Sequence, residues 1–255
     1  MSELVHREIS DHVMIITINR PQARNAVNYD TAVELAAALD ELDANPDVRL
    51  GILTGAGQTF SSGMDLKAFA QSGQRPYVDN RGFGGLCERP PRKPMIAAVE
   101  GYALAGGFEM ALACDLIVAS EAAQFGLPEV KRGIVPGAGG MLRLPARIPY
   151  HLAMEFVLTG DMFNAPRLYE LGLVNRLVPA GQALNEALAL AEKLKANGPM
   201  AIQVAKRVIS QSRDWHQDDM FDIQRPIIAP VFASADAKEG STAFAEKRAP
   251  VWQGK

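Results

Sequence analysis

Five stretches of the chain are apolar almost without interruption. They are HVMIITINRP (His12 to Pro21), RLGILTGAG (Arg49 to Gly57), KPMIAAVEG (Lys93 to Gly101), DLIVASE (Asp115 to Glu121) and LVNRLVP (Leu173 to Pro179). A strand wetted on one face alternates apolar and polar residues, whereas a continuous apolar run suits a strand covered on both faces. Between these runs the period becomes helical. In YDTAVELAAALDELDANPD, Leu35, Leu39 and Leu42 recur at helical spacing behind an Asp-Thr cap signal, and the run stops before Pro46. LNEALALAEKLKANGP places Leu184, Leu188 and Ala191 on one stripe, and MAIQVAKRVISQS does the same with Ala201, Val204 and Val208. From Pro179 onward the pattern is mostly helical. Strands mixed with helices predict an α/β architecture. Some strands follow each other too closely for a helix after each, so a repeated β-β-α unit is as plausible as a doubly wound sheet. The expected division is a core over residues 1–195 and a helical region over residues 196–255.

One segment breaks the pattern. SGQRPYVDNRGFGGLCERPPRKP (Ser72 to Pro94) is rich in Gly, Pro and Arg, and reads either as a long surface connection or as a mobile flap over a site. Composition narrows the rest. The 255 residues carry a net charge of −3, so no global basic field favours nucleic acid or an anionic membrane. The start, MSELVHREISDHV, is too polar for a signal peptide, and no apolar run approaches the ~20 residues that span a bilayer. Two cysteines and four histidines show no ligand spacing, so no metal site is expected. A cytoplasmic location is expected.

Candidate chemistry sits where strands end in glycine. LTGAGQTFSSGMDLKAF has Gly55 and Gly57, but Phe60 stands where a dinucleotide fingerprint needs its third glycine. What remains is a strand, a turn at Ser61-Ser62-Gly63 and a helix opening at Met64 or Asp65. VEGYALAGGFEMALACD is again strand, glycine turn and helix. Turns around Met64 and Gly106, each offering one backbone N–H, meet the requirement of an oxyanion hole, although tight helix–sheet packing also favours glycine. Glu109 is the one charge in an otherwise core-like segment, and burying a lone carboxylate is expensive. Glu129 follows Pro128 in FGLPEVKRGIVPGAGG, at the expected start of a short helix, where its charge would also complement the helix dipole.

SSGMDLKAF, GYALAGGFEMALACDLIVAS, FGLPEVKRGIVPGAGG and EGSTAFAEKRAP, in this order and spacing, resemble the enoyl-CoA hydratase (crotonase) superfamily from ITINRPQARNAVN to the C-terminal segment. The resemblance implies a ClpP/crotonase-like fold: a β-β-α superhelix followed by a C-terminal helical trimerisation region, assembled as a homotrimer or dimer of trimers. It implies backbone donors at Met64 and Gly106, and two catalytic glutamates at Glu109 and Glu129. It places coenzyme A along Arg24, Ala26, Asp65, Leu66 and Lys67, with Phe244 and Lys247 approaching its nucleotide end from a neighbouring subunit. The acyl-CoA is the substrate, and no cofactor is needed.

The implied reaction is reversible syn hydration of a 2-trans-enoyl-CoA, as in fatty-acid β-oxidation. Met64 stands where short-chain hydratases commonly have alanine, and the pocket beyond Met64 and Phe108 is expected to set the acyl group. GGFE, LPE-x-K-x-GIVP and LRLP look closer to crotonobetainyl-CoA (carnitinyl-CoA) hydratases than to the mitochondrial type. Rival readings are carnitinyl-CoA dehydration, enoyl-CoA isomerisation and a non-catalytic acyl-CoA-binding member. A nucleotide-dependent oxidoreductase ranks last.

Overall fold

Each of the five apolar runs forms a strand of one large sheet. The computed structural model describes residues 3–255; residues 1 and 2, which head the polar start, lie outside it. In chain order the strands are β1 (Val5–Ser10), β2 (Val13–Ile18), β3 (Leu50–Gly55), β4 (Tyr77–Val78), β5 (Gly82–Phe83), β6 (Met95–Val99), β7 (Tyr102–Leu104), β8 (Leu116–Ser120), β9 (Gln124–Gly126), β10 (Met162–Asn164) and β11 (Arg176–Val178). The helices are α1 (Tyr29–Ala44), α2 (Leu66–Ser72), α3 (Gly106–Ala113), α4 (Gly140–Arg143), α5 (Tyr150–Thr159), α6 (Ala165–Glu170), α7 (Ala183–Lys195), α8 (Pro199–Gln211), α9 (Met220–Phe232) and α10 (Ala235–Glu246).

The large sheet has the order β1-β2-β3-β6-β8-β11. From β2 to β11 its neighbours run parallel, while β1 is antiparallel to β2, with Val5 opposite Ile18. Apolar patterning does not reveal β1. It is an edge strand on which only Val5 is buried, so VHREIS carries little apolar signal. The strands β3 and β6 are buried along nearly their whole length, as continuous apolar runs require. On one face, Ala183, Ala187, Leu190 and Ala191 of α7 pack on Leu50, Ile52, Ile96 and Ala98. On the other, Leu35, Leu39 and Leu42 of α1 pack with Met14, Ile16 and Leu53.

Several local expectations are corrected. The α1 cap is Asn28, whose Oδ1 accepts from the Thr31 N–H at 3.0 Å. On α7 the small alanines face the sheet, leaving Leu184 and Leu188 only partly buried at the flanks. On α8, Ala201 is exposed and only Pro199 is buried within the chain. The segment from Ser72 to Pro94 starts at the surface, where Ser72 to Arg75 are exposed, and then enters the core. It forms the β4–β5 hairpin, and Arg81 through Cys87 are all buried. Arg81 donates to Asp40 of α1, and the Phe83 ring lies over the start of α3.

The β-β-α repeat is real and it sets the site. After β3, β6 and β8 the chain makes a second, short extended segment. Ser61 bridges Ala103 in parallel, and Ala103 pairs in parallel with Phe125. Three successive units therefore lay these segments side by side. The turns that follow them, at Gly63-Met64, Ala105-Gly106 and Pro128-Glu129, leave along one edge. The boundary at residues 195/196 falls between α7 and α8. The helices after it are tied back by Lys206, whose Nζ donates to Asp115 at 2.6 Å, and by Arg213, whose Nη2 donates to Ala146 O at 3.1 Å. Among the described residues no helix is long and apolar enough to cross a membrane.

Candidate active site

The first turn is fixed from below. The Asn25 side chain donates to Ala56 O at 2.9 Å and accepts from Arg20 N–H at 3.0 Å, and the Ser61 hydroxyl donates to Asn25 O at 2.9 Å. Val27 N–H donates to Gly63 O at 2.8 Å and Asp65 N–H to Val27 O at 2.9 Å. In such a parallel bridge the middle residue turns its own N–H away from the partner. The Met64 N–H is that group, and it has no acceptor among the described residues.

The second turn lies against the first. A Cβ on Gly63, where φ is +89°, would sit 3.0 Å from Gly106 N. Ala105 adopts φ 51° and ψ −128°, a strained backbone for a residue with a side chain. It is held there by its N–H on Gly126 O at 2.8 Å. The strain turns the chain so that Gly106 opens α3 with its N–H free of any acceptor among the described residues. Two unpaired backbone donors thus come from turns in contact, as an oxyanion hole requires.

The carboxyls differ in their surroundings. Glu109 lies one turn into α3, which is buried at every residue. Its Oε1 accepts from Ala138 N–H at 2.7 Å and Gly140 N–H at 2.8 Å, so the PGAGG turn folds over it. Burial raises its pKa above the usual 4.5, opposed by these two amides and by Arg143. Glu129 opens a 3-10 turn (Pro128–Arg132), and its buried Oε2 has no hydrogen-bond partner among the described residues. Burial pushes its pKa up to about 7, with the nearby Glu109 charge adding to the rise and the Glu129 backbone N–H opposing it. Both carboxyls are raised by burial, but two amides and a cation oppose the rise at Glu109, whereas the Glu109 charge adds to it at Glu129.

This has a consequence for stability. The folded chain binds the Glu129 proton more tightly than the unfolded chain, so its contribution falls as pH rises from 4.5 through about 7. The full deficit, reached above that window, corresponds to about 3 kcal/mol. Glu129→Gln is expected to be more stable than the wild type at pH 8 by ~1–3 kcal/mol, with the gap closing toward pH 5. Chemical denaturation at the two pH values measures it.

The coenzyme candidates fall in two places. Arg24, Ala26 and Asp65 to Lys67 adjoin the Met64 turn through the Val27 bridge. Arg24, Leu66 and Lys67 are exposed, whereas Ala26 is buried and gives its carbonyl to Arg20. Asp65 caps α2, accepting from Ala68 N–H at 3.0 Å, and pairs with Arg20 at 2.8 Å. Its carboxylate is therefore already engaged. Phe244 and Lys247 lie at the end of α10, both exposed, with Phe244 87% open to solvent. Phe108 does not line a pocket. It is fully buried, its ring 5.3 Å from Phe125 and 5.5 Å from Phe156. Among the described residues no three His, Cys, Asp or Glu side chains gather as metal ligands.

Residue patterning missed three groups near Glu109. Tyr77 is half-buried with its ring edge-on to Phe83 at 5.8 Å; the Phe83 ring would meet a Cβ on Gly106 at 2.3 Å; and Arg143 reaches back over the PGAGG turn. Two of them stand in the segment whose Gly, Pro and Arg content reads as exposed.

Comparison with known proteins places the whole chain in one family. The enoyl-CoA hydratase/isomerase family description matches residues 8–255. The chain is 44% identical to enoyl-CoA hydratase EchA19 of Mycobacterium tuberculosis, covering 95% of this chain and 93% of that one. It is 41% identical to a carnitinyl-CoA dehydratase of Salmonella typhi over the full length of both. The crystal structure of enoyl-CoA hydratase EchA1 from Mycobacterium marinum superposes with a TM-score of 0.97 at 57% identity, covering 99% of each chain.

Proposed function

The chain belongs to the enoyl-CoA hydratase/isomerase family, and from that premise we propose that it adds water reversibly to the double bond of a 2-trans-enoyl-CoA, giving the 3-hydroxyacyl-CoA. One observation carries the assignment of roles. Two carboxyls share the site, yet Glu109 is gripped by two amides while the Glu129 Oε2 is buried without a partner.

In the forward direction Glu109 takes a proton from water as its oxygen bonds to C3. The π electrons move toward the thioester, whose oxygen becomes enolate-like. The Met64 and Gly106 N–H groups stabilise that oxygen, each worth about 3 kcal/mol in sites of this type. Glu129, as the acid, gives its proton to C2 and the carbonyl re-forms. Glu109 ends protonated and Glu129 ionised, and exchange of one proton with solvent resets the pair. The step as written asks for no metal or redox group. The coenzyme's phosphates are assigned to Arg24 and Lys67, which are exposed near the Met64 turn and pair with no acid among the described residues.

The similarity to a carnitinyl-CoA dehydratase supports a second direction, loss of water from a 3-hydroxyacyl-CoA through the same groups. Assembly as a trimer or dimer of trimers belongs to the proposal, supported by Phe221, Phe232, Phe244 and Val251, large apolar side chains left exposed on and after α9. So does a cytoplasmic location. The test is a panel of enoyl-CoAs incubated in 18O-labelled water. Solvent oxygen at C3 of the product is expected. Migration of the double bond without incorporation would point to isomerisation, and binding without turnover of any panel member to a non-catalytic protein.

A further inference from the structure

Arg143 ends α4, and the hydration steps above do not use it. Its Nη2 donates to Cys87 O at 2.6 Å, and its Nη1 reaches Ala138 O at 3.4 Å. Ala138 is the residue whose N–H grips Glu109. The guanidinium lies across the Gly139 backbone, where φ is +102° and a Cβ would fall 2.2 Å from Nη1. Only glycine suits both that conformation and that approach. Cys87 ends the buried segment whose Phe83 ring covers Gly106. Arg143 thus joins the turn that holds the base to the segment that walls the oxyanion turn.

We propose that Arg143 is a positioning residue for hydration: by bridging the carbonyls of Cys87 and Ala138 it holds the Ala138 and Gly140 amides on Glu109 Oε1 and keeps a cation beside that carboxylate. Its catalytic meaning rests on the hydratase reading; its effect on Glu109 does not. The titratable and charged groups that face Glu109 are Arg143 from α4, Glu129 from the 3-10 turn, Tyr77 from β4 and Cys87 after β5. Burial raises the Tyr77 phenol and the Cys87 thiol, keeping both neutral. Glu129 contributes repulsion when ionised. Arg143 is the one cation of the four, and it adds to the two amides in favouring the anion on Glu109. A lysine keeps charge but lacks the planar fork that spans two carbonyls.

The test reads Glu109 directly. Protein carrying 13C-labelled glutamate side chains is titrated by NMR, with the Glu109 signal assigned by its loss in Glu109→Gln. In folded Arg143→Met, the proton affinity of Glu109 is expected to rise about tenfold. In Arg143→Lys, which keeps the cation but loses the two-carbonyl bridge, it rises by less than in the Met variant. On an enoyl-CoA, kcat of Arg143→Met falls about tenfold to a hundredfold with little change in KM, and the acidic limb of kcat/KM moves upward with the Glu109 titration. An unchanged Glu109 titration in folded Arg143→Met overturns the proposal, as does an equal rise in the Met and Lys variants. Arg143→Gln decides the same comparison if the Met variant does not fold. A wild-type protein that hydrates nothing sinks the hydratase reading instead, and the titration still decides the role of Arg143.

Discussion

Replacing Glu129 by Gln is expected to lower hydration turnover by about a thousandfold or more, and Glu109→Gln by a similar factor. The Glu129 case is the sharper. Its buried Oε2 has no partner among the described residues and burial pushes its pKa up to about 7, so the acid form is populated near neutral pH. An amide of the same shape keeps the 3-10 turn but has no acidic proton to give C2. At Glu109 the amide oxygen still accepts from Ala138 and Gly140, so the PGAGG turn survives while the base is lost. Affinity for the coenzyme moiety should persist, because neither carboxyl is among the groups placed on it. Steady-state kinetics with calorimetric binding of the acyl-CoA separate the two effects. Turnover within tenfold of wild type in both folded variants would remove the carboxyls from the chemistry.

The second large effect is on the fold. Gly107→Ala is expected to destabilise the chain by about 3 kcal/mol or more. The added Cβ would sit 2.3 Å from Ser61 O and 2.9 Å from Ser61 Cβ, and the first of these is backbone. Ser61 cannot yield, since it bridges Ala103 and its hydroxyl holds Asn25. The first turn would be pushed off the second, so activity falls with stability. Gly137→Ala is the control: its nearest atoms would be 3.9 Å away and its φ is not positive, so a change under ~0.5 kcal/mol is expected. Urea denaturation of the two variants measures the difference. Equal stability for both would mean that Gly107 is not needed for close approach.

The parts of this molecule that were legible in its sequence are those where burial is two-sided or where chemistry is local. Strands β3 and β6 are apolar at successive positions because helices cover one face and other helices and loops the other. β1 is hidden because an edge strand with one buried residue has no such constraint. The segment from Ser72 to Pro94 misleads for a related reason. Its glycines suggest exposure, yet Gly84 and Gly85 have positive φ and would strike Met110 and Ala32 if they carried a Cβ. They are there so that backbone can pack into the core. Phe108 misleads in the opposite sense: its place beside Glu109 in sequence suggests a pocket wall, but on a helix adjacent residues face different ways, and its ring joins Phe125 and Phe156. Arg143 acts through backbone carbonyls, and no spacing in the sequence reports a contact of that kind.

The most direct test of the central claim is the structure of the Glu129→Gln variant with an enoyl-CoA bound. Two turns from successive β-β-α units and two carboxyls are held to form one thioester site. The thioester oxygen is expected about 3 Å from both the Met64 and the Gly106 nitrogen, with C2 and C3 between Glu109 and residue 129. A thioester bound elsewhere, or one whose oxygen meets neither amide, would contradict it.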